Sequence, residues 1–259
     1  MREKKSRCQV YFVGAGPGDP ELLTIKGRRC IAEADLVLYA GSLVPLEVVA
    51  FARKEARVMD SSSMTLEETH AAIMETVRSG GTVARVHTGD PSLFGAVREQ
   101  MDLLELEGIP CEIVPGVTAA FAAAAAAKIS FTLPEKTQTL IITRLAGRTS
   151  VPDRQRLKDL ARHGASLAIY LSASNPEGVA EELLAGGYPG DTPVIIGHRI
   201  GWPDQRVLSA QLGDLVKTLK ERGIGKQTVF LVLPGQKDEG VSSRLYSPDF
   251  SHSHRPEKK

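Results

Sequence analysis

One segment limits what this chain can fold into more than any other: Val13-Gly-Ala-Gly-Pro-Gly-Asp-Pro20, directly after the strand-like run Gln9–Val13. Three glycines at the end of a buried strand let the backbone turn sharply and come close to a ligand. Two plainer readings compete. A dinucleotide-binding turn wants GxGxxG. Here the third glycine falls one place early, Pro17 removes an amide donor, and Asp19 puts a negative charge where a pyrophosphate would sit. A purely structural tight turn is the other reading, but Pro and Asp among three glycines are unusual for it.

The rest of the chain alternates short β-branched runs with amphipathic stretches. Leu36–Tyr39, Thr82–His87 and Cys111–Val114 read as buried strands. Thr65-Leu-Glu-Glu68 is a capping box, and Leu66, Ile73, Met74 and Val77 then fall on one helical face. Leu93, Val97, Met101 and Leu104 form a second such face, ended by Gly108 and Pro110. This rhythm predicts an α/β fold with a parallel sheet and helices on its faces. A second block follows, with strand candidates at Thr139–Thr143, Ser166–Leu171, Pro193–Gly197 and Thr228–Leu233. Asn175-Pro176 is a helix start, with Asn as cap and Pro in the first turn. Leu212, Leu215 and Leu219 make another apolar stripe. The expected division is an N-terminal α/β domain over 1–113, a C-terminal α/β domain over 114–236 and a polar tail over 237–259.

Composition narrows the function classes. Lys+Arg against Asp+Glu is 32 against 31, a net charge of +1, without the basic excess of a dedicated nucleic-acid binder. Hydrophobic residues are 42% and charged residues 24%, which rules out global disorder. Cys8, Cys30 and Cys111 are scattered and odd in number, so neither a disulfide framework nor a zinc site is suggested. His252 and His254, with no carboxylate or thiol beside them, make a weak metal pair. No apolar run reaches the ~20 residues of a membrane helix. We expect a cytoplasmic, soluble, metal-free protein with neither a nucleic-acid nor a membrane partner.

Two further segments carry chemistry. Arg85-Val-His-Thr-Gly-Asp-Pro-Ser-Leu-Phe-Gly95 lies at the carboxyl end of a strand, the edge where open α/β sheets bind ligands. There Asp90 can accept a hydrogen bond from a ligand hydroxyl or ammonium, and Gly89 lets a ligand lie on the main chain. Ser92 reads as a cap of the next helix, and His87 as a structural hydrogen bonder. In Ile113-Val-Pro-Gly-Val-Thr-Ala-Ala120, Thr118 opens a helix.

In this order and spacing the three segments resemble the tetrapyrrole methylases, a family of S-adenosylmethionine-dependent enzymes that methylate precorrins on the way to cobalamin and sirohaem. GAGPGDPELLT matches the opening motif, HTGDPSLFG the central one and VPGVTAA the hinge. Tyr39-Ala-Gly-Ser-Leu-Val44, Thr143-Arg-Leu-Ala-Gly-Arg-Thr149, Trp202-Pro-Asp204 and the tail Ser243-Arg-Leu-Tyr-Ser-Pro-Asp-Phe-Ser-His252 are similar to the branch acting on carbon 11 of precorrin-4 or cobalt-precorrin-4. The alternative is a methylase of the same family acting on another precorrin carbon or on uroporphyrinogen III. The uroporphyrinogen branch has Tyr-Asp-Arg-Leu-Val after its second strand, with the Asp proposed as a base. Ala40 and Gly41 stand there in this chain, so that base is missing. Some carbon-11 enzymes carry an acid where Gly41 stands.

The resemblance implies two α/β domains, each around a five-stranded sheet, an active-site cleft between them, and a homodimer. It implies S-adenosylmethionine as co-substrate, contacted by Pro17, Thr88, Gly89, Asp90, Leu93, Thr118 and Ala119, with Leu171, Ile195 and Thr228 from the second domain. It turns the loop of Gly14, Gly16, Gly18 and Asp19 toward the macrocycle and makes Asp19 the candidate catalytic residue. Because the substrate bears many carboxylates, the site should hold positive charge. Arg144, at the end of a strand, is the best candidate, followed by Arg85 and Arg148. Lys26 and Arg28 read as a solvated helix face.

Overall fold

The computed structural model describes Cys8–Lys237 together with Phe250, Ser251, Ser253 and Arg255. Most of the expected tail, including most of the stretch Ser243–His252 and both His252 and His254, lies outside the described residues. The chain divides into two compact units. One comprises Met1–Ala122 with Arg199–Gln205, the other Ala123–His198 with Arg206–Lys259. The sequence boundary was expected at 113/114.

The first unit runs β1 (Val10–Gly14), α1 (Ile25–Glu33), β2 (Leu36–Tyr39), α2 (Leu46–Val49), β3 (Arg57–Asp60), α3 (Leu66–Arg78), β4 (Val83–His87), α4 (Val97–Leu106) and β5 (Cys111–Val114). Its sheet has the order β3-β2-β4-β1-β5, and every pairing is parallel. β4 is buried along its whole length, as a parallel strand covered on both faces must be. One face carries Val13, Ile31, Val37 and Val86, the other Phe12, Leu38, Ile73 and Leu104.

The order of strands fixes where a ligand can bind. From β1 the chain crosses β4 to reach β2, and from β4 it crosses β1 to reach β5. The loops after β1 and β4 therefore part in opposite directions from neighbouring strands. That is a topological switch point, and the carboxyl edge of the sheet opens there.

Local signals hold at several helix starts. Thr65 Oγ1 accepts from Glu68 N at 3.2 Å and Glu68 Oε2 accepts from Thr65 N at 2.8 Å, closing the capping box. Thr24 Oγ1 caps α1 by accepting from Gly27 N at 3.0 Å. The stripe from Leu93 is shorter than expected. Phe94 and Ala96 have φ of +55° and +46°, so the chain turns there and α4 begins only at Val97. Ser92 therefore does not cap it. Its amide instead donates to Asp90 Oδ1 at 2.8 Å.

The chain passes from the first unit to the second within α5 (Ala119–Ala127). The second unit then has β6 (Leu140–Arg144), α6 (Leu157–Ala161), β7 (Ser166–Tyr170), α7 (Pro176–Ala185), β8 (Pro193–His198), β9 (Arg206–Gln211), α8 (Leu215–Arg222) and β10 (Thr228–Val232). Its order is β6-β7-β10-β8-β9, and only β6 and β7 run parallel. The other three pairings are antiparallel. Its core gathers Leu157, Leu167, Ile169, Leu183, Ile196 and Phe230.

Candidate functional site

The loops after β1, β4 and β5 meet main chain to main chain. Gly16 N donates to Gly89 O at 3.2 Å and Gly89 N donates to Gly16 O at 2.7 Å, an isolated antiparallel bridge between two loops. A Cβ on Gly14 would come 2.6 Å from Gly116 Cα and 2.7 Å from Gly89 O. No side chain fits between these three backbones. Gly16 and Gly89 also take φ of +77° and +62°, which an L side chain adopts only under strain. The result is a floor of main-chain groups at the switch point.

Asp90 ties that floor together. Its Oδ1 accepts from Ser92 N at 2.8 Å, and its Oδ2 accepts from Gly116 N at 3.0 Å, linking the loop after β4 to the loop after β5. Each oxygen keeps a lone pair for a ligand donor. Thr88, Gly89, Asp90, Pro17 and Thr118 thus belong to one set of adjoining loops. Leu93 lies in the turn just beyond them, and Ala119 begins α5.

The glycine-rich loop is braced by a segment far along the sequence. Trp202 Nε1 donates to Pro17 O at 3.2 Å, and a Cβ on Gly18 would lie 2.6 Å from that nitrogen. The Arg199 guanidinium stacks 4.4 Å from the centroid of the Trp202 ring and pairs with Asp204 at 2.6 Å. Beside them is a cleft of about 530 Å³ lined in part by Gly18, Pro20, Pro45 and Glu47. Asp19 Oδ1 accepts from Glu21 N at 2.8 Å and so caps the short turn Pro20–Leu22. Sequence reasoning used Trp202-Pro-Asp204 only as a branch feature and gave it no place in the site. A lone tryptophan carries no signal of its partner.

The expected cations separate. Arg85 is buried: its Nε donates to Gln100 Oε1 at 3.0 Å, and its Nη1 to Ser61 Oγ at 2.8 Å and Leu38 O at 3.3 Å. Burial without a carboxylate among the described residues pushes its pKa down to about 10. It supports the sheet from beneath and is not a free hand for a substrate carboxylate. His87 Nε2 is buried with no partner among the described residues. Burial first, and the Arg85 charge second, press its pKa down to about 3, so the ring is neutral and a poor base. Lys26 pairs with Glu112, and Arg28 stacks over Phe51 at 4.6 Å.

In the second unit, Arg144, Leu171 and Thr228 fall along one edge of β6, β7 and β10. Arg144 pairs in register with Tyr170, and Thr228 with His198. Arg144 spends its donors on its own loop, at Thr149 O (3.1 Å) and Ser150 O (2.7 Å). Leu171 is exposed and has φ of +53°. Ile195 lies deeper, opposite Leu231, and is buried. Thr228 Oγ1 donates to Lys226 O at 2.9 Å. Among the described residues no group of three or more His, Cys, Asp and Glu side chains is assembled that could hold a metal ion.

Comparison with known proteins agrees along most of the chain. The profile of the tetrapyrrole (corrin/porphyrin) methylases matches residues 9–216. The cobalt-precorrin-4 C(11)-methyltransferase of Priestia megaterium is 43% identical over 251 residues, covering 95% of this chain and 97% of that protein. The precorrin-4 C(11)-methyltransferase of Pseudomonas aeruginosa is 45% identical over 248 residues, covering 95% and 98%. Among solved structures, a cobalamin biosynthetic enzyme, cobalt precorrin-4 methyltransferase, superposes with a TM-score of 0.85 at 44% identity, covering 87% of this chain and 94% of that one. Uroporphyrin-III C-methyltransferase from Thermus thermophilus, complexed with S-adenosylhomocysteine, gives 0.72 at 29% identity, covering 87% and 97%.

Proposed function

Because the chain belongs to the tetrapyrrole (corrin/porphyrin) methylase family, we propose that it transfers a methyl group from S-adenosylmethionine to carbon 11 of precorrin-4 or cobalt-precorrin-4. The observation that carries this is the 43–45% identity to C(11)-methyltransferases across 95% of the chain. The 29% identity to the uroporphyrin-III enzyme makes that the weaker match.

The chemistry asks for alignment more than for acid–base side chains. The sulfonium is already an activated donor. Its S–CH3 bond breaks as a ring carbon supplies the electron pair for the new C–CH3 bond. A neutral thioether leaves, and the macrocycle gives up one proton. In-line placement of the two reactants can contribute ~7–11 kcal/mol. The close approach of Gly116 to Gly89 suits a cofactor held by main-chain groups, because an added side chain at Gly116 would meet backbone. In this reading Pro17, Thr88, Gly89, Asp90, Leu93, Thr118 and Ala119, with Leu171, Ile195 and Thr228, contact the cofactor. Gly14, Gly16, Gly18, Asp19 and Arg144 face the macrocycle. Asp19 and Arg144 also hold their own loops.

The reading extends to a metal-free, cytoplasmic homodimer. The observation that supports the dimer is the exposed Phe121 on the apolar helix α5. Sedimentation of the purified protein tests the dimer. For the activity, metal-free and cobalt-loaded precorrin-4 are incubated with methyl-labelled S-adenosylmethionine and the product is located by carbon NMR. One label at carbon 11 is expected. Label at another carbon, or turnover of uroporphyrinogen III alone, would overturn the assignment.

A further inference from the structure

Position 41, where an acid was looked for in the sequence, holds a glycine, yet a carboxylate occupies its side-chain space. A Cβ built on Gly41 would lie 2.6 Å from Asp60 Oδ1 and closer still to Oδ2. Asp60 ends β3, one strand over, and pairs in register with Tyr39 at the end of β2. Only a glycine at 41 lets that carboxylate fold over the end of β2.

The carboxylate is held in this place by design of its neighbours. Oδ1 accepts from Gly41 N and from Ser62 N, both at 2.8 Å. Ser61, between Asp60 and Ser62, donates from its amide to Tyr39 O at 2.8 Å and from its hydroxyl to the same oxygen at 3.1 Å. The buried Arg85 donates to that hydroxyl from below. The turn is thus fixed from three sides. The two amides account for Oδ1 as the cap, and the Ser62 side chain also hydrogen-bonds the carboxylate, which still leaves Oδ2 with room for a further donor. The two amide donors hold the group below the usual carboxylate range, so it is ionised at neutral pH.

We infer that Asp60 is a substrate-facing residue, whose Oδ2 accepts a hydrogen bond from a ring N–H of the metal-free tetrapyrrole. The inference rests on the functional reading above. β3, β2 and β4 are neighbours, and their carboxyl ends lie within about 10 Å. That is within the breadth of a macrocycle lying over the switch point. A metal-free tetrapyrrole presents N–H donors on its rings and carboxylates on its arms. A fixed anion at this edge accepts the first and repels the second, so it selects the orientation of the ring.

Asp60→Asn and Gly41→Ala test this. The asparagine keeps an oxygen for Gly41 N and Ser62 N and turns an NH2 donor toward the substrate. The alanine keeps the acid in the chain but displaces its carboxylate. Both variants should bind S-adenosylhomocysteine within about threefold of wild type and raise KM for metal-free precorrin-4 at least tenfold, with kcat changed far less. A cap alone would move stability and leave KM untouched. If either folded variant keeps the wild-type KM and kcat, the inference falls. Should wild type itself fail to methylate precorrin-4, the functional reading has failed instead, and this is seen before any variant is compared.

Discussion

Trp202 reaches back 185 residues to donate its indole N–H to the carbonyl of Pro17, at 3.2 Å, in the middle of the glycine-rich loop. The ring fills the space beside Gly18, which no side chain at that position would share. A loop of three glycines is soft, and this contact fixes one conformation of it. Trp202→Phe keeps the packing and deletes the hydrogen bond. We expect a stability loss of ~0.5–1.5 kcal/mol by urea titration, a higher KM for the tetrapyrrole, and unaltered calorimetric affinity for S-adenosylhomocysteine. Loss of cofactor binding would mean that the whole loop, and not Pro17 alone, serves the methyl donor.

Asp90 links two loops through Ser92 N and Gly116 N. Asp90→Ala deletes both charge-assisted bonds and leaves Gly116 N–H unpaired. We expect the dissociation constant for S-adenosylhomocysteine, measured on folded protein, to rise about tenfold, or ~1.4 kcal/mol, with a fall in stability. A destabilised variant with wild-type affinity would restrict Asp90 to holding the loops.

Gly116 packs against Gly14 with a would-be Cβ 2.7 Å from Gly14 Cα. The neighbour is backbone and cannot rotate aside. Gly116→Ala should therefore cost about 1–3 kcal/mol, as overpacking does, and weaken cofactor binding together with stability. Gly108→Ala is the control for strain without crowding. Its φ is +69°, and nothing lies within 4 Å of its would-be Cβ. It should lower stability and spare affinity.

His87 gives a pH signature. Unfolded, it takes up a proton below about 6.5; folded, only near 3. Between those values the unfolded chain holds the extra proton. Its contribution to stability is complete above pH 6.5 and drains away as pH falls toward 3, by up to about 1.4 kcal/mol per pH unit. In His87→Phe the denaturation midpoint should decline less steeply over that range. An unchanged slope would place the acid sensitivity elsewhere.

Eight of the ten strands are legible from apolar and β-branched runs; six of them are mostly buried, while β5 and β6 are half-buried edge strands that keep an apolar run. The two that escape, β3 and β9, are two of the four outer strands, with only exposed or half-buried residues and charged or polar ends at Arg57, Asp60, Arg206 and Gln211. Charge at a sheet edge is how chains avoid pairing with one another, and it erases the apolar pattern that strand reading depends on. The antiparallel pairings of the second sheet are equally invisible, since alternation of strand and helix is compatible with both directions. Of the site, the glycine loop and the Thr88-Gly-Asp90 turn are legible because local chemistry demands glycine there. Asp60 and Trp202 are not. Asp60 matters only through Gly41, 19 residues away, and Trp202 only through Pro17, and no local pattern marks either.

The reciprocal bridge between Gly16 and Gly89 has a thermodynamic corollary. One hydrogen-bonded pair joins the loop proposed for the macrocycle to the loop proposed for the methyl donor. Neither loop can shift to admit its reactant without pulling on the other. The two reactants are then energetically linked, and by reciprocity whatever factor one imposes on the affinity of the other is returned in full. The affinity of either reactant, measured with and without the other, becomes a property of two glycines.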